Sequence, residues 1–239
     1  MYRESVYERV LGDRIDKLDA GLRRYFGALP EGCVGVGHGV FEVAGSRVRV
    51  LWPVWRFLAW RGVLFPERGC DVPFSVVNTA HADGSLTAAR TVRFGARRRV
   101  MVDRMSVERR ALVDRIGRRG GLEVALEVRV EGGALRLQSR RIALRLRRVR
   151  VPLGHLAEVT VIERAAPARA GGEGDTAADA PRQAVDVRIR MPLLGEVFRY
   201  AGTFTYSAFA GDTATDDIAP RAQERPGREA SSAGATTSS

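Results

Sequence analysis

The sequence predicts an α+β fold that is mostly antiparallel β: a strongly curved sheet or half-open β-barrel with an N-terminal helix. Three observations predict it. Apolar residues recur at helical spacing over residues 4–28, and from residue 35 onward segment after segment alternates with a period of two. Strand-like and helix-like segments do not alternate as a parallel sheet requires, and no repeat of fixed period occurs. Finally, one long apolar stretch, 135–151, changes phase twice, which a strand does only by bending or bulging.

The elements follow in chain order. Val6, Val10, Leu11, Ile15, Leu18, Leu22 and Tyr25 fall at steps of three and four on one helical face; Gly12 interrupts it, and Pro30 and Gly32 end it, so residues 1–30 form a helical unit packing on the sheet. Val36, His38 and Val40 alternate with glycines and run on into Phe41 and Val43. Residues 48–65 read as a short, Trp-rich amphipathic helix or loop. Segment 72–82 is a strand, and Asp83-Gly84 turns it into 86–94. Further strands are expected at 97–105 and 111–116, followed by a turn at 118–121. Val124, Leu126, Val128 and Val130 alternate with charged neighbours, so this strand covers a core on one side and meets water on the other. Gly132-Gly133 turns it back. In the return stretch, Leu135 and Leu137 are in odd phase, Ile142, Leu144 and Leu146 in even phase, and Val149 and Val151 in odd phase again. Strands at 155–164, 185–191 and 196–206 complete a curved domain over 31–206. The Ala-, Gly- and Asp-rich stretch 165–181 is expected to be a disordered insertion, and 207–239 a disordered tail.

Composition bounds the function. Apolar residues make up 45% of the 239, enough for a core, but aromatics only 7%, so that core rests on Val and Leu. The net charge of +11 comes almost wholly from arginine, since Lys17 is the only lysine. A solvated Arg-rich surface, as a GC-rich genome writes it, is the ordinary reading; a nucleic-acid or anionic-membrane surface is the functional one. Nucleic acid is disfavoured because no aromatic stacking residue occurs between Arg97 and Arg150. Cys33 and Cys70 make neither a zinc site nor a disulfide framework, and no cofactor is expected. The polar N-terminus carries no signal-peptide core, and Arg49, Pro53, Arg56 and Arg61 break the longest apolar stretch, so a cytoplasmic protein is expected.

Local motifs are weak. Gly35-x-Gly37-x-Gly39 has the wrong spacing for a dinucleotide loop and reads as a glycine-softened bent strand. His38, His81 and His155 stand at no metal-ligand spacing; His38, flanked by glycines on an expected inner strand, is the best catalytic candidate of the three. No Gly-x-Ser-x-Gly elbow occurs. Asp103 with Glu108, and Asp114 with Glu123, are as well explained by nearby arginines. Trp52, Trp55 and Trp60, with Leu51, Leu58 and Phe65, read first as a lid over one open end of the sheet, then as a portal for an apolar ligand, then as an interfacial membrane anchor.

Several segments taken together resemble one family. VLGDRIDKLDAGLRRYFG, DVPFSV, TVRFG, GRRGGLEVALEV and VDVRIRMPLLGEVFRYAGTF, in that order over roughly residues 8–206, are similar to the bacterial domain of unknown function numbered 4166, often fused behind a saccharopine-dehydrogenase-like Rossmann domain. The resemblance implies a β-rich domain with no assigned activity. It matches Asp114-Arg115 to an acid–arginine pair and His155, near Glu158, loosely to a turn. These 239 residues hold no Rossmann segment, so the domain is expected to act alone or with a separate Rossmann-type dehydrogenase.

Together these readings favour a non-catalytic domain that binds a small apolar or amphipathic, lipid-like molecule in a β cup, with His38, Trp52, Trp55, Arg93 and Tyr200 at the site. Asp114, Arg115 and Glu158 are acid–base or ion-pair candidates. The alternatives are an enzyme or accessory domain working with a dehydrogenase-type partner, and a protein-interaction module. The segment 48–65 is the expected contact if the partner is a membrane surface.

Overall fold

Chain order and sheet order nearly coincide in the computed structural model, which describes residues 4–146, 149–154, 156–167 and 182–211. Helix α1 (Val6–Leu11), a 3₁₀ segment (Gly12–Lys17) and α2 (Ala20–Phe26) precede β1 (Cys33–Gly45); a 3₁₀ turn (Arg49–Leu51) then leads into α3 (Trp52–Trp60). The remaining strands are β2 (Val72–Ala80), β3 (Leu86–Phe94), β4 (Arg97–Glu108), β5 (Ala111–Ile116), β6 (Leu122–Glu131), β7 (Ala134–Leu146), β8 (Val149–Pro152), β9 (Glu158–Ala165), β10 (Arg182–Met191) and β11 (Gly195–Ala210). Every pairing is antiparallel. Ten strands run around a ring in the order β1 to β7, then β9, β10 and β11, and β11 returns to pair with β1. The barrel is therefore closed, one step beyond a half-open sheet. Among the described strands, β8 alone lies off the ring, on the end of β7.

The local rules hold in detail. Ser5 and Glu8 form a reciprocal capping box that starts α1, and Gly12, at φ +53°, stops it after six residues, so the expected single helix is two short ones joined by a 3₁₀ turn. The first phase change of the return stretch is a bulge: Ala125 faces Arg141 and Leu126 faces Ser139, which leaves Arg140 as the extra residue. The second is the exit from β7 into β8. Strand β2 ends at Ala80, two residues short of expectation, and β9 starts at Glu158. Strand β11 runs to Ala210, so residues 207–210 are sheet and not tail. The rest of that tail (212–239) and 168–181 of the expected insertion lie outside the described residues.

Glycines make the ring close. A Cβ on Gly35 would meet the Tyr206 hydroxyl, and one on Gly37 would meet Val76 and Phe204, so these aromatic rings occupy the space that side chains on β1 would fill. Where the first and last strands cross, a Cβ on Gly202 would strike the Val40 carbonyl, and one on Gly39 the Thr203 carbonyl.

Each mouth of the barrel is covered. Helix α1 packs on β4, β5 and β6 while α2 packs on β9 and β10, so the N-terminal unit spans one mouth and buries Val6, Leu11, Leu22 and Phe26. The other mouth is covered by α3 and the segment after it, with Trp55, Val63 and Phe65 buried.

Two hairpins share a two-residue turn with both residues at positive φ. Gly132-Gly133 makes one and Arg109-Arg110, at φ +48° and +65°, makes the other. Arginine adopts that left-handed backbone only at a cost of about 1 kcal/mol per residue. Arg109→Asn with Arg110→Gly is expected to raise unfolding stability by about 1 kcal/mol in urea denaturation, with the m-value unchanged.

Candidate functional site

All ten ring strands send side chains into a central chamber of ≈ 120 Å³, joined by Tyr25 from α2 and by Val63 and Leu64 from beyond α3. Most of the lining is apolar: Phe41, Phe74, Met101, Met105, Val187 and Phe204 are typical. Within it sit four charged side chains, Arg90 on β3, Asp103 on β4, Asp114 on β5 and Glu163 on β9. Each occupies an inward position of its strand, in phase with apolar neighbours.

The charges do not balance. Arg90 makes a short ion pair with Asp103 through Nη1 and Oδ1. Asp114 and Glu163 are buried, at 7% and 8% exposure, with no second cation among the described residues of the chamber wall. Asp103 Oδ2, Asp114 Oδ1 and Glu163 Oε2 are buried without a hydrogen-bond partner. Burial, and then the neighbouring Asp103, push the Asp114 carboxyl well above the usual range. Burial also raises Asp103, against the pull of Arg90, and raises Glu163 to about 7. The Tyr200 phenol is pushed up to about 12 by burial, so it stays neutral. Among the described residues, no three His, Cys, Asp or Glu side chains converge closely enough to hold a metal ion.

Outside the chamber, at the mouth covered by α1 and α2, lies a groove of ≈ 320 Å³ between the 27–33 loop and the β2–β3 hairpin. Tyr25 lines both spaces and is the wall between them. Its ring stands edge-on to Phe204 and Tyr206, and Asn78 donates to the Tyr206 hydroxyl at 3.2 Å. Tyr7, also in the groove wall, donates to Met105 Sδ at 3.2 Å.

The structure gathers some of the expected site residues and scatters the rest. Tyr200 and Asp114 line the chamber. His38 is exposed on β1, not on the inner face, and Arg93 is exposed on β3. Trp55 is buried against Phe198, whereas Trp52 stands half-exposed under the Arg56 guanidinium. Asp114 and Arg115 point to opposite faces, as successive strand residues must; Arg115 is ion-paired with Glu108 at 2.6 Å on the outside. Glu158 is exposed and accepts from Gln138 at 2.7 Å, and His155 lies outside the described residues. Sequence reasoning does not single out Arg90 or Glu163; it expects arginines around Asp103, and the structure supplies Arg90. A signal existed: each interrupts an apolar phase, Ala88-Arg90-Val92, Met101-Asp103-Met105 and Val159-Val161-Glu163, as Asp114 does between Leu112 and Ile116.

Residues 18–204 match the family described as Domain of unknown function (DUF4166). The chain belongs to that family. The DUF4166 match takes in every chamber-lining residue, from Tyr25 to Phe204. No curated protein and no solved structure matches the chain.

Glu163 makes stability depend on pH. Its carboxyl ionises near 4.5 in the unfolded chain and near 7 in the folded one, so the native state holds the extra proton and loses stability as pH rises from 4.5 to 7. Asp103 and Asp114, also raised, add to the same sign. Glu163→Gln is therefore expected to flatten the decline, gaining on the order of 3 kcal/mol relative to wild type between pH 4.5 and pH 8 in denaturation midpoints.

Proposed function

We propose that the barrel binds a small amphipathic molecule, its apolar part against the Val, Met and Phe walls and its polar head on the buried carboxyls. The observation that carries this reading is the set of three buried carboxyl oxygens without a donor, facing one chamber. A buried acceptor left unmade costs about 1–3 kcal/mol, and a ligand that supplies N–H or O–H donors recovers that cost. A head with N–H or O–H donors, an amine or hydroxyl, meets these oxygens, and the positive charge of an amine would also favour the ionised form of carboxyls that burial otherwise keeps protonated. The chamber volume of ≈ 120 Å³ suits a group near the size of one aromatic ring, since an engineered cavity of about 150 Å³ takes benzene. A longer, lipid-like molecule extends past Tyr25 into the outer groove.

The runner-up is acid–base catalysis on the same molecule, favoured by the Glu163 carboxyl, which burial brings to about 7, where a general base works best. In that reading the barrel exchanges its substrate with a dehydrogenase-type partner.

Benzylamine, benzyl alcohol and benzoate share one ring and differ in the head. Benzylamine and benzyl alcohol are expected to raise the thermal midpoint of the full chain, and benzoate to leave it unchanged. Asp114→Asn is expected to weaken benzylamine about tenfold or more, through loss of a charge-assisted contact. Stabilisation by benzoate above the other two, or by none of them, overturns the donor-head reading.

A further inference from the structure

The two mouths of the barrel differ in charge and polarity. Four stretches meet at the α3 mouth: residues 46–66 with the lid, the β3–β4 turn region 94–102, the β5–β6 turn region 115–122 and the β10–β11 turn region 191–195. They hold four, three, three and no arginines respectively, and no Asp or Glu at all. Over residues 4–26 at the opposite mouth, five acidic residues balance five basic ones. Arg99 and Arg115 are held by Glu67 and Glu108, but Arg47, Arg49, Arg56, Arg118 and Arg119 stand exposed.

Exposed apolar side chains gather at the same end. The outer face of the lid presents Val50, Trp52, Val54, Phe57 and Trp60, with Trp60 72% exposed. The β10–β11 turn adds Leu193 and Leu194, and β8, paired on the end of β7, adds Val149 and Val151. Phe209 is the one large apolar side chain exposed at the far mouth among the described residues. Scattered exposed hydrophobes are ordinary; a shared rim of them, studded with one sign of charge, is not.

We infer that the α3 mouth docks end-on to an anionic lipid bilayer. Trp52 and Trp60 enter the boundary between headgroups and acyl chains, where an indole with its one N–H is at home, and the wholly apolar Phe57 ring inserts beside them. The surrounding arginines reach lipid phosphates, which guanidinium meets with two parallel hydrogen bonds. Arg56 stacks 4.7 Å over Trp52, so its charge lies at the edge of the apolar patch. Among the described residues, no helix is long and apolar enough to cross a membrane. A protein partner fits less well, because it would have to present an acidic ring around an apolar centre spread over several separate turns. The inference does not depend on the ligand reading, although Val63 and Leu64, beneath the lid, are chamber walls and would lie next to the bilayer.

All three tryptophans lie in α3, with Trp52 and Trp60 exposed and Trp55 buried, so a change in Trp emission reports this end of the barrel. The full chain is mixed with vesicles of phosphatidylcholine and with mixed vesicles of phosphatidylcholine and phosphatidylglycerol. Sedimentation with the mixed vesicles only, with a blue shift in Trp emission, is expected. Phe57→Ser with Trp60→Ser should abolish sedimentation while the far-ultraviolet spectrum is retained, and Arg49→Gln with Arg56→Gln should weaken it about fivefold per arginine removed. No sedimentation with mixed vesicles, equal sedimentation with both kinds, sedimentation that survives Phe57→Ser with Trp60→Ser, or a lid buried in a dimer of the chain in solution would each overturn the inference.

Discussion

The pairing of the first strand with the last is the constraint on which the rest depends. Cys33 lies opposite Ala210 and Gly45 opposite Arg199, with one bulge between Phe41 and Val43, so the ring joins only when nearly the whole folded chain is in place. Contacts so distant in sequence form late and make folding slow. The seam needs backbones closer than side chains allow, hence glycine at 39 and 202, and it needs bulk where β1 offers none, hence Phe204 and Tyr206 leaning across from β11. Tyr25 rests on both of those rings, so the N-terminal unit that covers one mouth is registered against the seam itself.

Closure then fixes the chemistry of the interior. A half-open sheet would leave its inner carboxyls in water, where they ionise freely. In a closed, capped ring the same groups lose solvent, and one arginine is shared among three carboxyls. Evolution toward stability alone would replace such groups with apolar side chains of similar volume, because buried charges rarely repay their desolvation. Their presence at inward positions of three strands, with oxygens unpartnered, is the reason to assign the interior a binding role.

The fold was largely legible in the sequence because its signals are local. The two-residue period, the Gly132-Gly133 turn and the phase change that became the Arg140 bulge all act within a few residues. The Arg109-Arg110 turn was not legible, since arginine is an unusual occupant of a left-handed turn and only tertiary pairing holds it there. The site was harder. Tyr200 and Asp114 line the chamber, though the sequence favours an ion pair with Arg115 for Asp114, and His38 faces outward because Gly35 and Gly37, not their even neighbours, face the aromatic rings of β11. The convergence of Arg90, Asp103, Asp114 and Glu163 depends on barrel closure, which brings together strands up to six positions apart in chain order. The lone charge within an apolar phase was the available clue.

If the chamber receives a donor-bearing molecule, native mass spectrometry of the full chain purified from cells, followed by denaturation and analysis of what is released, will show it. One compound in stoichiometric amount is expected, with an apolar body and an amine or hydroxyl head, lost in Glu163→Gln with Asp114→Asn. A folded protein that releases nothing, or whose bound compound survives both substitutions, would contradict it.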